Sequence, residues 1–196
     1  TISSQTTLSE DMHISGNLKL NAELNLNGHK LIVDGDLIQN SGKVLNVGSG
    51  SLEVGANYYL RRGTFNAGEG RTEIGGGFFA ESEAHKNAKA SFVMQKEAGY
   101  VLINGDFVID QYTGSGVNGK ITAGTLELRR NFTQRSSYTD SSYPQYGFVA
   151  TGTHKVILSG TGEQLIAFED PGYSKFNQVE NKNILGVRFL SWAEYK

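Results

Sequence analysis

Asp106, Asp110 and Asp140, with Arg129, Arg130 and Arg135, are the side chains of this 196-residue chain that come nearest to chemistry. Glycoside hydrolysis needs two carboxylates facing one groove, and two successive turns of a repeat can bring those three aspartates together. The arginines lie near Asp140 in sequence, yet no second acidic group stacks beside them. His13, His29, His85 and His154 show no metal-ligand spacing. There is no Gly-x-Ser-x-Gly elbow, and the glycine-rich turns open no helix, so nucleophilic acyl transfer and phosphate cradling both lack their parts. The pattern assigns no catalytic residue, no cofactor and no metal.

The elements that must position any site come from a repeated step. Val33-Asp34-Gly35-Asp36-Leu37-Ile38 recurs as Val54-Gly55-Ala56-Asn57-Tyr58-Tyr59 and as Ile74-Gly75-Gly76-Gly77-Phe78-Phe79. It recurs again as Ile103-Asn104-Gly105-Asp106-Phe107-Val108, more loosely as Leu128-Arg129-Arg130-Asn131-Phe132-Thr133, and earlier as Ile14-Ser15-Gly16-Asn17-Leu18-Lys19. Each copy is an apolar strand end, a short turn, Asn or Asp in most copies, then a second apolar strand. Ile14, Val33, Val54 and Ile74 are 19, 21 and 20 residues apart. Leu24, Leu26, Leu31 and Val33 alternate with polar neighbours, with the turn dipeptide Asn27-Gly28 between the pairs. A step of this length, at roughly 3.3 Å per strand residue, predicts an all-β, three-sided parallel β-helix of about seven or eight coils.

One β-helix domain is expected over residues 1–196, with an N-terminal cap at 1–12 and regular coils at 13–79. Longer coils follow at 80–168, and a last coil at 169–196 that Trp192 and Tyr195 cap or that continues in a longer chain. Beyond Phe79 the anchors Ile74, Ile103, Leu128 and Leu158 are 29, 25 and 30 residues apart. The extra residues fall in Ala80–Ala90, Asp110–Gly119 and Gln134–Phe148, each after the second strand of the step, so they should leave the solenoid along one edge. Twenty-five glycines against 2 prolines fit many tight turns. A formal charge of −2 favours neither nucleic acid nor an anionic membrane surface, and no run approaches the roughly 18 apolar residues of a membrane span. Cysteine is absent, so disulfides and thiolate chemistry are excluded.

The segments 24–39 (LNLNGHKLIVDGDLIQ), 45–60 (LNVGSGSLEVGANYYL) and 153–168 (THKVILSGTGEQLIAF) resemble coil repeats of secreted or surface-displayed bacterial β-helix proteins. The resemblance implies a right-handed helix and an extracellular or cell-surface bacterial setting. It also admits polysaccharide lyases, tailspikes, adhesins and stalks, because the fold serves them all.

Stacked coils superpose Asn17, Asp36, Asn57, Gly77, Asp106 and Asn131 at one turn position. We expect a structural ladder there, its amides satisfied from coil to coil in a backbone that tolerates left-handed geometry. Two-residue alternation turns Ile38, Tyr59, Phe79, Val108 and Thr133 outward, with Lys19 on the first coil. Four adjacent coils would then carry a large apolar side chain on one outer face, an extent that usually has a partner unless the insertions cover it. Tyr112, Tyr138, Tyr143 and Tyr146 from the insertions join this candidate surface, 134–148 having the Ser, Tyr, Asp and Arg mix of an adaptable recognition loop. The expected partner is a polysaccharide or another protein chain, with self-association through the solenoid ends or the stripe as a further mode. The expected function is a non-catalytic rigid stalk or adhesive scaffold presenting its loops. A polysaccharide lyase or glycoside hydrolase, and a self-assembling fibre or tailspike-like subunit, are the alternatives.

Overall fold

Alternating apolar residues force this chain into strands, and the strands stack as a β-solenoid of about 7 turns. The computed structural model describes residues 1–81, 90–110, 119–135, 137 and 147–190. Their elements run β1 (Thr6–Thr7), β2 (Met12–Ile14), β3 (Leu18–Leu20), β4 (Leu24–Asn25), β5 (Lys30–Val33) and β6 (Leu37–Asn46). Next come β7 (Ser51–Val54), β8 (Tyr58–Asn66), β9 (Arg71–Ile74), β10 (Phe78–Glu81), β11 (Ala90–Val93), β12 (Tyr100–Ile103) and β13 (Phe107–Asp110). The series ends with β14 (Thr125–Leu128), β15 (Phe132–Arg135), β16 (Lys155–Leu158), β17 (Gln164–Phe168), β18 (Gln178–Asn181) and β19 (Val187–Leu190). Every strand pairing is parallel.

Each coil crosses three faces. One is the sheet β2-β5-β7-β9-β12-β14-β16-β18. The second carries β3, the opening parts of β6 and β8, then β10, β13, β15, β17 and β19. The third carries β1, β4, the closing parts of β6 and β8, and β11, and continues as the single bridges Met94–Ile121 and Ile121–Ala150. The anchor residues fall on one line: Ile14, Val33, Val54, Ile74, Ile103, Leu128 and Leu158 are paired one after another. At the Asn27-Gly28 turn Asn27 takes φ 51° and Gly28 φ 86°, and the His29 N–H closes the turn on the Leu26 carbonyl at 2.8 Å.

Inward residues form columns that pack coil on coil. Leu18, Leu37, Tyr58, Phe78, Phe107, Phe132 and Ile166 follow one another across the strands and are buried. Phe107 stacks on Phe78 and on Phe132, with ring centroids 5.3 Å apart in both pairs. Edges of Phe92 and Phe148 meet the same column from the neighbouring face. Such pairs add about 0.5–1.5 kcal/mol each beyond the area they bury. Among the described residues after β17, Val179, Ile184, Leu185 and Phe189 are exposed.

The second face turns into the third at a corner that β6 rounds between Asn40 and Val44. β8 rounds it too, pairing with β10 through Tyr58 and Tyr59 and with β11 through Gly63–Asn66. The same corner lies at the ends of β10, β13 and β15, where residues 82–89, 111–118 and 138–146 follow in the chain. The extra length therefore enters at one edge, as the step pattern requires. Gln39 serves this corner from inside: its amide donates to the carbonyls of Lys43 at 2.8 Å and Thr64 at 3.2 Å, and its Oε1 accepts from the Tyr58 hydroxyl at 2.5 Å.

His154 sits fully buried, its ring 6.0 Å from that of Phe148, and neither ring nitrogen has a hydrogen-bond partner. Burial pushes its pKa down to about 4. The folded state thus binds fewer protons than the unfolded chain, whose histidine titrates near 6.5. Stability is full above that value and falls as pH drops toward the folded pKa, by about 3 kcal/mol for this group alone. Denaturant unfolding at pH 7 and pH 4 should give a smaller acid loss for His154→Phe than for the parent chain; equal losses would refute the assignment. Phe107→Ala, which empties the middle of the stacked column, should cost about 3–5 kcal/mol in the same assay.

Candidate functional site

The outward line of the second face reads Lys19, Ile38, Tyr59, Phe79, Val108, Thr133, Ala167 and Leu190, each paired with the next. Ile38, Tyr59 and Phe79 are half-buried, while Val108 is buried. Tyr59 and Phe79 stack with centroids 5.3 Å apart and planes 17° from parallel, so their faces are turned toward each other along the solenoid axis. The Arg61 guanidinium lies 5.7 Å from the Tyr59 ring centre. Phe79 leans back over Gly77, where a β-carbon would come within 2.6 Å of its Cζ. The stripe is a ladder of side chains packed on one another, with Tyr59 and Phe79 in face-to-face contact at its centre. Tyr112, Tyr138, Tyr143 and Tyr146, with Asp140, lie outside the described residues.

The turn ladder bonds chiefly from side-chain oxygen to the next coil's backbone, and it also carries one amide link of the expected kind, Asn57 Nδ2 to Asp36 Oδ1 at 3.3 Å. Asn17 Oδ1 accepts from the Asp36 backbone N–H at 2.8 Å, Asp36 Oδ1 from Asn57 N–H at 3.0 Å, and Asn57 Oδ1 from Gly77 N–H at 2.9 Å. The series resumes with Asp106 Oδ1 and Asn131 N–H at 3.2 Å, then Asn131 Oδ1 and Leu165 N–H at 2.9 Å. What each rung needs is a side-chain oxygen under the next coil's amide, which explains why Asp and Asn interchange. Left-handed backbone is not the reason: among the described residues Asn27 is the one non-glycine with positive φ. Gly77 breaks the series, and the ring of Phe79 occupies the space its side chain would need. A second column, Asn25, Asn46 and Asn66, also passes an amide bond from coil to coil, Asn66 Nδ2 to Asn46 Oδ1 at 3.2 Å. Its signal in the sequence is the Asn two residues before Gly48 and Gly68.

Beyond the stripe, at the foot of the three long connections, Glu81, Asp110 and Arg135 stack in register. Arg135 Nη1 donates to Glu81 Oε1 at 3.0 Å, and the buried Asp110 accepts from the Ser137 N–H at 3.2 Å. Asp106 lies at the opposite end of β13, on the turn ladder, so it does not join this group. The outer side of the eight-stranded sheet is a network of ion pairs, Lys30–Glu53 at 2.7 Å, Arg71–Glu73 at 3.3 Å and Lys155–Glu180 at 3.0 Å. Within it Glu127 accepts from Tyr100 Oη and from Ser159 Oγ, the latter at 2.6 Å, while Arg71 lies 4.7 Å over the Tyr100 ring. Burial, reinforced by Glu127, pushes Tyr100 up to about 12. Burial alone would raise Glu127, but its hydrogen bonds and the charges of Arg129 and Lys182 outweigh it and hold the carboxyl below its usual range. Among the described residues no group of three or more His, Asp or Glu is placed to hold a metal ion.

Neither a family model, nor a curated protein, nor a solved structure matches the chain.

The ladder makes a sharp forecast. Asp106→Ala removes the acceptor for Asn131 and should lower stability by about 1 kcal/mol, whereas Asp106→Asn keeps an oxygen in place and should leave most of it. Denaturant midpoints of the two variants measure the difference, and equal losses would show that the charge, not the oxygen, holds the rung.

Proposed function

We propose that this protein is a non-catalytic, secreted or surface-displayed bacterial scaffold that holds recognition segments at the pitch of its coils. The observation that carries the proposal is the single corner at which β10, β13 and β15 all end, in three successive coils, beside Tyr59, Phe79 and Val108. Consecutive strands stand about 4.8 Å apart, so segments rooted there are spaced by the backbone and not by their own sequences. A rigid frame lowers the entropy lost when a partner is bound, which is the physical advantage of such an arrangement. The extracellular bacterial setting rests on the resemblance of residues 24–39, 45–60 and 153–168 to secreted coil repeats.

The second reading, a polysaccharide lyase or glycoside hydrolase, draws on Glu81, Asp110 and Arg135. Two carboxylates and a guanidinium in register are the right types, but Arg135 donates to Glu81 and Asp110 accepts from the Ser137 amide, so each is already engaged among the described residues.

A panel of immobilised polysaccharides, probed with the parent chain and with Tyr59→Ala and Phe79→Ala, tests the scaffold. Retention on a polysaccharide, lost at least fivefold in both folded variants and without new reducing or unsaturated sugar ends, is the expected result. Release of such ends, abolished by Arg135→Gln, would replace the scaffold with the enzyme. Absence of retention on every polysaccharide would remove the glycan as partner.

A further inference from the structure

The turn that follows each anchor is short and carries small residues through most of the solenoid. The second of its positions reads Gly16, Gly35, Ala56, Gly76 and Gly105, and each of these turns after the first donates a backbone N–H to the carbonyl of the one before. At the next coil the same positions hold Arg129 and Arg130. In the coil after that the turn is longer, Ser159-Gly160-Thr161-Gly162-Glu163, before β17 resumes the column. Large side chains thus enter the stack at the very coil whose successor bulges away from it.

The bulge is built. Gln164 is buried, and its Nε2 donates to the Leu128 carbonyl at 3.0 Å and to the Arg130 carbonyl at 2.8 Å. Its Oε1 accepts from the Gly160 N–H at 2.7 Å and from Asn183 Nδ2 at 3.0 Å. The side chain thereby satisfies backbone groups that the longer turn leaves behind, groups that would be costly to bury unpaired. Above it opens a cleft of about 260 Å³ lined by Arg129, Arg130, Asn131, Thr161, Gly162 and Glu163. No apolar side chain lines it.

The charges are unequally engaged. Arg129 donates to Asn104 Oδ1 at 2.9 Å and lies 3.9 Å from Glu127, and Glu163 is 3.6 Å from Arg188. Arg130 is exposed and its guanidinium has no partner among the described residues. Asn131 spends its Oδ1 on the ladder, which leaves its Nδ2 as a donor. A planar guanidinium with uncommitted N–H groups, beside an amide and a hydroxyl, can offer paired donors to the two oxygens of a carboxylate or to two of those on a sulfate ester. Polar lining without an apolar wall suits a hydroxyl-rich carrier and not a protein surface, whose buried contacts are apolar at their centre.

We infer that the cleft between the Arg129–Arg130 turn and the 159–163 turn binds the oxyanion of an acidic polysaccharide, carboxylated or sulfated. This edge is a different corner from the one bearing the long connections, so the site stands apart from the scaffold reading above.

Titration calorimetry of the full chain with a chondroitin sulfate hexasaccharide, its desulfated form, a neutral dextran oligomer and inorganic sulfate tests the inference. The hexasaccharide should bind, weaken as salt rises, and lose at least tenfold in affinity in Arg130→Gln, with dextran inert. Desulfated sugar binding as well as the parent assigns the carboxylate, and its loss assigns the sulfate. Lys30→Gln, an equal loss of charge on the outer side of the eight-stranded sheet and away from both candidate surfaces, should leave this affinity unchanged, which separates a sited contact from general attraction. Deletion of Thr161 and Gly162, in a variant that unfolds at the parent's denaturant midpoint, should abolish binding by closing the cleft. No binding of the hexasaccharide, equal affinity in folded Arg130→Gln, or inorganic sulfate matching the sugar would each overturn the inference.

Discussion

Everything in this molecule depends on parallel pairing between one coil and the next. Because the strands run the same way, each residue lies over its counterpart from the preceding turn, and like stacks on like. Phe78, Phe107 and Phe132 become one column of rings, and Asp36 and Asn57 become successive rungs. A side chain in such a stack is stabilised by the coil below and the coil above. Stability is then close to a sum of neighbour terms, and a defect is felt mostly where it occurs.

Two levels of polar organisation ride on that pairing. Outside, side-chain oxygens reach up to the backbone of the next turn and give each corner a hydrogen bond that sheet pairing alone does not supply. Inside, Gln39, Gln134 and Gln164 are buried at three of the places where the coil departs from its regular course. Gln134 bridges the Arg135 carbonyl and the Asp170 N–H much as Gln39 bridges Lys43 and Thr64. A buried amide has two donors and one acceptor oxygen to offer, which fits it to irregular backbone that no neighbouring strand can pair.

The course of the solenoid was legible because two-residue alternation and the steady spacing of Ile14, Val33, Val54 and Ile74 act over short range. Placing Tyr59 and Phe79 outward needed nothing more than the inward position of Tyr58 and Phe78. The ladder's bonding was legible only in part: an Asn carries both donor and acceptor, and the height of the next coil's amide puts the oxygen to use at each rung, while Asn57 donates to the coil before as well. The stripe's texture was hidden for a similar reason, since ring faces turned along the axis follow from coil spacing and not from residue type. Gln164 and the cleft by Arg130 escaped because their meaning lies in a length difference between two turns thirty-odd positions apart.

The corner after β10, β13 and β15 has one more consequence. Coils of 29, 25 and 30 residues differ in length there, yet Phe78, Phe107, Phe132 and Ile166 still meet in unbroken register. Length at that vertex is decoupled from the phase of the winding. Foreign peptides spliced into it would be displayed without disturbing the barrel of side chains behind them, which makes the vertex a natural graft point for arrays of short epitopes.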